Sequence, residues 1–253
     1  MSLVQLPVAP LKMKCQISTS KIFGISSFYP KAIRMKRYVS LLLPLILLVC
    51  YLIEPRYAVR FWITVSCIPI VGWYGRYQPL RKDTAVIILA FLFSILGDWM
   101  LHASTAGNSY FIYGVLFFFI AHIFYILFCL RHGSIAKAFA LNIAICFFAY
   151  YLMALLPNIP QTAIRIAVLL YILVSCLSLS AAKGLRLQPT AKYLFFAGII
   201  CLVFSDTLIS LNNYLHISTL YFCMLPTYYA SQILVSASMI SLSKHLHQTQ
   251  IAS

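Results

Sequence analysis

Apolar residues run along this chain in blocks of roughly twenty, with polar residues gathered in the short gaps between them. Blocks of that length span a hydrocarbon core as helices, and eight follow one another: 38–53, 59–76, 84–102, 109–130, 136–156, 161–182, 191–211 and 219–242. The gaps hold turn residues such as Gln78-Pro79, Gly107-Asn108, Pro157-Asn158 and Gln188-Pro189, which suit short connections. No gap has room for a soluble domain. The pattern predicts an all-α integral membrane protein with eight transmembrane helices over 38–243. A basic tail over 1–37 precedes the spans and a short tail over 244–253 follows them.

The positive charges orient the spans. With both termini cytoplasmic, sixteen of the nineteen Lys and Arg residues fall on the inner side, and only Arg56, Arg60 and Arg165 fall outside. That is a strong positive-inside bias. The expected location is the plasma (inner) membrane of a bacterium or an endoplasmic-reticulum-type membrane of a eukaryote. Composition agrees, with 62% hydrophobic and 9% charged residues. The net charge of +15 sits in the gaps, and no basic face with interleaved aromatics exists, so nucleic acid is not an expected partner. The eight cysteines form no Cys-x-x-Cys pair and fit small core hydrophobes rather than a zinc site.

Against this background four acids stand out. Glu54 and Asp83 lie at segment ends beside Arg56 and Lys82, where water is expected to solvate them. Asp98 and Asp206 lie inside apolar blocks. A carboxylate at the centre of a bilayer costs about 2.5–3.5 kcal/mol on the lenient insertion scale, so an intramembrane acid points to function. Both acids belong to spans that run from inside to outside. Asp98 is sixteen residues beyond Lys82 and Asp206 fourteen beyond Lys192, so their depths differ by about 3 Å. Both fall in the outer half of the membrane. The simplest non-catalytic role is a polar contact between helices.

The surroundings of the two acids echo each other. Phe93-Ser94 precedes Asp98 and Phe204-Ser205 precedes Asp206; each span leads to one with polar and aromatic groups, Ala121-His122-Ile123-Phe124-Tyr125 and Tyr228-Tyr229-Ala230-Ser231-Gln232. A parallel four-plus-four repeat would produce this pattern. His122 with Tyr125, and Tyr229 with Gln232, are three apart and share helix faces. Gly97 either admits substrate beside Asp98 or packs helices closely. Ser205 is placed to orient Asp206.

Two carboxylates close together in a low dielectric cannot both ionise easily, which leaves one acid and one base for hydrolytic chemistry. The pair titrates as a unit, so neither member is assigned as the acid. Two Asp and one or two His are sparse ligation, and with no HExxH motif neither a metal nor another cofactor is expected. A Gly-x-Ser-x-Gly elbow and Gly-rich phosphate loops are also absent from the sequence.

Four motifs in order, Phe93-Ser94-Ile95-Leu96-Gly97-Asp98, Ala121-His122-Ile123-Phe124-Tyr125, Phe204-Ser205-Asp206-Thr207-Leu208 and Tyr229-Ala230-Ser231-Gln232, resemble those of the YhhN-like lysoplasmalogenases. The resemblance covers roughly residues 40–243. It implies a membrane hydrolase that cleaves the vinyl ether of lysoplasmalogens to a fatty aldehyde and a glycerophospho-base. A lysophospholipid would be its substrate and membrane lipids its surroundings. Asp98 and Asp206 match the family's two intramembrane acids; Gly97, Ser205, His122, Tyr125, Asn212, Tyr229 and Gln232 are the supporting candidates. Two positions depart from the family: Gln78-Pro79 where Lys-Pro is frequent, and Asn213 after Asn212 where a base is frequent. A substrate phosphate would lie near the outer bases Arg56, Arg60 and Arg165; Arg165, at the outer start of the sixth span, is the preferred partner among them, the alternative being that it snorkels to lipid headgroups.

The chemistry of the residues agrees with that expectation. A vinyl ether hydrolyses by protonation of its β carbon followed by attack of water on the oxocarbenium ion, which an acid and a carboxylate can serve without metal or nucleotide. A proton- or cation-coupled transporter using the same Asp pair is the competing class. A lipid-binding scaffold is the third.

Overall fold

The computed structural model describes residues 38–54, 57–76, 80–103 and 109–252, the side chains of 57–58 and 244–252 excepted. The basic tail 1–37, Arg56 and the turns at Gln78-Pro79 and Gly107-Asn108 lie outside the described residues. So do the side chains of the 244–253 tail.

Eight α-helices occur among the described residues, one on each apolar block. They are α1 (Leu42–Ile53), α2 (Tyr57–Gly75), α3 (Arg81–His102), α4 (Ser109–Arg131), α5 (Lys137–Tyr150), α6 (Thr162–Lys183), α7 (Pro189–Leu215) and α8 (Met224–Ala252). α5 continues through a π-helical turn at Tyr151–Leu155 and a 3-10 turn at Leu156–Asn158. Among the described residues five helices are long and apolar enough to cross a membrane: α3, α4, α5 with its continuation, α6 and α7. The shorter Val39–Ile53 is also apolar.

Local chemistry sets several boundaries. Pro189 opens α7 at a position where its missing N–H costs nothing, after Gln188 in an extended conformation. α7 ends on His216, whose φ of 56° is left-handed, and the Ile217 N–H returns to the Leu211 carbonyl. Inside the helices, hydroxyls such as Ser66, Ser180, Thr207 and Ser231 donate to carbonyls three or four residues back. This satisfies them without water.

The helix contacts close on themselves. α2 packs on α3, α3 on α4, α4 on α6, α6 on α7, α7 on α8 and α8 back on α2. Six helices thus form a ring, with α1 outside on α2 and α8, and α5 outside on α6. Large apolar side chains cover the outside, among them Leu43, Trp62, Leu141, Ile145, Phe148 and Met153. That much exposed hydrocarbon suits lipid rather than water. All three tryptophans, Trp62, Trp73 and Trp99, lie more than half exposed near helix ends, where membrane interfaces favour them.

One half of the ring is filled. Phe91, Phe128, Phe195 and Ile199 are wholly buried, and the Phe128 and Phe195 rings stack at 4.8 Å. That end is tied by Asp83, which accepts from Arg131 Nη1 at 3.3 Å and lies 2.9 Å from His132 Nε2. Asp83 is therefore not the water-solvated acid expected from its place beside Lys82; it is buried against the end of α4. Nearby, Gly133 and Gly184 let the α4–α5 and α6–α7 connections touch, and a Cβ on Gly184 would strike the Ser134 carbonyl.

Candidate functional site

All six ring helices send a side chain to the other, less filled half. α2 begins there and α3 ends there. Arg60, in the first turn of α2, places Nη2 3.5 Å from Asp98 Oδ1, one turn before the end of α3. The Tyr229 hydroxyl of α8 donates to Asp98 Oδ2 at 3.2 Å. Across the ring, Asp206 of α7 lies 3.4 Å from His122 Nε2 of α4. The same nitrogen is 3.2 Å from the Tyr171 hydroxyl of α6. His122 Nδ1 lies 2.7 Å from Ser178 Oγ, also on α6.

The two acids line one cavity of about 290 Å³, together with Arg60, His102, Asn213, Tyr221 and Tyr228. Different groups hold them. Asp98 faces a guanidinium, which is always a donor; Asp206 faces an imidazole, which can give or take a proton. A second, apolar pocket lies between α4, α5, α6 and α7, lined by Phe111, Val115, Leu155, Val168, Ile172 and Tyr214 among others. Asp206 belongs to the walls of both, as do Leu101, Phe118 and Ile209. The polar and apolar spaces therefore meet at Asp206.

The other expected site residues divide. Tyr125 donates to Gln232 Oε1 at 3.3 Å, and both are fully buried in a layer behind the acids. Gly97 is a packing glycine: a Cβ there would lie 2.7 Å from the ring of Phe118, which walls both cavities. Ser205 lines the polar cavity, but its hydroxyl donates to the Met224 carbonyl at 2.9 Å and ties α7 to the start of α8. Asn212 donates to the Asn213 side chain, and Asn213 is the one that lines the cavity. Arg165 stands elsewhere, with Nε donating to the Ile159 carbonyl at 2.6 Å in the turn before α6. The base beside the acids is Arg60.

Sequence reasoning missed Tyr171 and Ser178, and it named Arg60 only as one of the outer bases near the phosphate, behind Arg165. The α6 residues had a signal: Tyr171, Ser175 and Ser178 recur at one helix face in an otherwise apolar segment. Arg60 was hidden by its nearness to Pro55 and Arg56, which made it resemble loop. Among the described residues no group of three or more His, Cys, Asp or Glu is placed to hold a metal ion.

Neither a curated protein nor a solved structure matches the chain. A family model does, over residues 37–239, which contain both acids and every ring helix to within α8. The chain belongs to the YhhN family.

Proposed function

We propose that this protein is a lysoplasmalogenase-like hydrolase that cleaves the vinyl ether of a single-chain ether phospholipid. The observation that carries the reading is the meeting of a polar cavity and an apolar pocket at Asp206. A molecule that is polar on one side and hydrocarbon on the other would present its junction there. In a lysoplasmalogen that junction is the vinyl ether. Membership of the YhhN family, which is associated with this activity, supports the same reaction.

In this reading the headgroup occupies the polar cavity, with its phosphate toward Arg60. The hydrocarbon chain lies in the apolar pocket. Asp206, with His122 behind it, delivers a proton to the β carbon, leaving an oxocarbenium ion. Asp98 stabilises the cation and accepts a proton from the water that adds to it. The resulting hemiacetal splits into the aldehyde and the free glycerol hydroxyl, so one water is consumed and no external reagent is required. Asp206 is given the acid role because it borders both cavities and has a partner able to exchange protons.

We place the protein across the membrane eight times, with both termini on the cytoplasmic side. The order of helix packing supports a parallel duplication: α2-α3-α4 and α6-α7-α8 follow each other round the ring, with α1 and α5 outside the first member of each triplet. The filled half of the ring favours a blind cavity over a transport path. Aldehyde release by purified protein in detergent, from lysoplasmalogen but not from saturated lysophospholipid, tests the assignment. Proton-coupled flux in proteoliposomes without aldehyde release would replace it with the transporter reading.

A further inference from the structure

The hydroxyl of Ser178 has one hydrogen and two close neighbours. It donates to the Ser175 carbonyl at 3.0 Å and lies 2.7 Å from His122 Nδ1. A carbonyl only accepts, so the contact with Ser175 is a hydrogen bond only when the serine supplies its hydrogen there. Both contacts are satisfied together only when His122 carries a hydrogen on Nδ1 and donates it to Ser178 Oγ. Ser178 and His122 are each 0% exposed, so bulk water offers neither an alternative partner.

This has a consequence at the other ring nitrogen. In the neutral imidazole Nε2 then bears a lone pair, and it faces Asp206 Oδ2 at 3.4 Å and the Tyr171 hydroxyl at 3.2 Å. The Tyr171 hydroxyl has one hydrogen, for Nε2 or for Asp206, with which it also interacts; given to Asp206, it leaves a lone pair facing a carboxylate, which is unfavourable until one proton lies between them, on the oxygen or on the nitrogen. Had Nδ1 been bare, the Nε2 hydrogen alone would satisfy the carboxylate, and no further proton would be held.

We propose that Ser178 is a positioning residue: it locks His122 in the Nδ1–H tautomer and so makes the Asp206–His122 pair hold one transferable proton at the junction of the two cavities. The titratable groups facing the imidazole are Asp206 from α7, Tyr171 from α6 and Tyr125 from its own helix, whose ring centroid is 6.4 Å away. Asp98 of α3 lines the same cavity but pairs with Arg60. The consequence for turnover rests on the hydrolase reading; the tautomer does not.

The test uses full-length protein in detergent with ¹⁵N-labelled histidine, the His122 signals being those lost in His122→Gln. Neutral His122 in the unaltered protein should show a protonated Nδ1 and a bare Nε2. In Ser178→Ala the proton should move to Nε2, and kcat for lysoplasmalogen should fall ~10-fold or more, with KM changed less than ~2-fold. Ser178→Thr, which keeps the hydroxyl, should restore both. An Nε2–H tautomer in the unaltered protein, or a Ser178→Ala variant with unchanged tautomer and kcat, overturns the proposal. If Ser178→Thr does not fold, the alanine comparison decides alone. Absence of aldehyde release from the unaltered protein would sink the hydrolase reading, while the NMR arm would still decide the role of Ser178.

Discussion

Arg60 and Asp98 form an ion pair at 3.5 Å between the first turn of α2 and the last turns of α3, with both side chains about nine-tenths buried. A carboxylate in an apolar helix thus has a cation supplied by the neighbouring helix, at the wall of the polar cavity. A phosphate brought into that cavity would meet the Arg60 guanidinium at its wall.

Arg60→Gln should therefore raise KM by ~10-fold or more, about 1.4 kcal/mol of binding, and lower kcat as Asp98 loses its partner. Arg165→Gln should leave KM within ~2-fold, because Arg165 Nε serves the Ile159 carbonyl instead. Its cost should appear as about 1 kcal/mol of stability. Steady-state kinetics of both variants check the assignment; a KM effect confined to Arg165→Gln would return the phosphate to the start of α6.

Asp206→Asn and Asp98→Asn should each lower kcat by ~100-fold or more while the protein stays folded and monodisperse. Asn is close in shape but cannot carry the proton. Retention of more than about a tenth of activity, a loss under 1.4 kcal/mol, would remove that Asp from the acid or base role. Recovered substrate separates the two in D₂O: Asp98→Asn should still protonate the β carbon and, on losing a proton again, exchange deuterium into the vinyl ether, whereas Asp206→Asn should not.

How far the chain announced this site follows from what each residue costs in an apolar segment. Asp98 and Asp206 were legible because a buried carboxylate demands a reason. The pairing of Tyr125 with Gln232 was only half legible: periodicity put each on a helix face, but which faces meet depends on the closure of the ring. Tyr171 and Ser178 were overlooked because hydroxyls in membrane helices commonly serve their own backbone. Ser178 does that too, and its second contact with His122 cannot be inferred from spacing. Arg165 was favoured over Arg60 because it falls in the first turns of its span while Arg60 reads as loop; both in fact lie at a helix start, and only tertiary contacts decide which one turns inward.

Gly97 sets the spacing between α3 and α4 at the site. Its replacement by alanine would bring a Cβ to 2.7 Å from the Phe118 ring, so the ring must move into the cavities it walls. Overpacking of this kind costs about 1–3 kcal/mol. Gly97→Ala should lower the melting temperature and reduce kcat/KM, and the double variant Gly97→Ala, Phe118→Leu should recover part of both. Independent, additive effects would separate the glycine from the ring.

The apolar pocket makes a prediction about chain length. Along α7 its lining runs from Val203 past Asp206 to Tyr214, and the eight residues from Asp206 to Tyr214 rise about 12 Å. Opposite stand Val168 of α6 and Leu155 in the π-helical turn that ends α5. Such turns break the regular helix and are frequent at functional sites; this one brings Leu155, 0% exposed, to the pocket wall. If the hydrocarbon chain lies here, bulk added at Val168 must shorten the space without touching Asp206 or His122. Val168→Phe should then reduce kcat/KM for long-chain lysoplasmalogens by ~10-fold or more relative to short-chain ones with the same headgroup. The discrimination follows from a full side chain's worth of hydrocarbon, about 1.5–3 kcal/mol. Arg60→Gln should weaken all chain lengths alike. A photoreactive group at the end of the chain should label α5 or α6 peptides around Leu155 and Val168, and Val168→Phe should abolish that labelling. Equal losses for short and long chains, or labelling confined to α2 and α8, would move the chain out of this pocket and leave Asp206 bordering a space with another occupant.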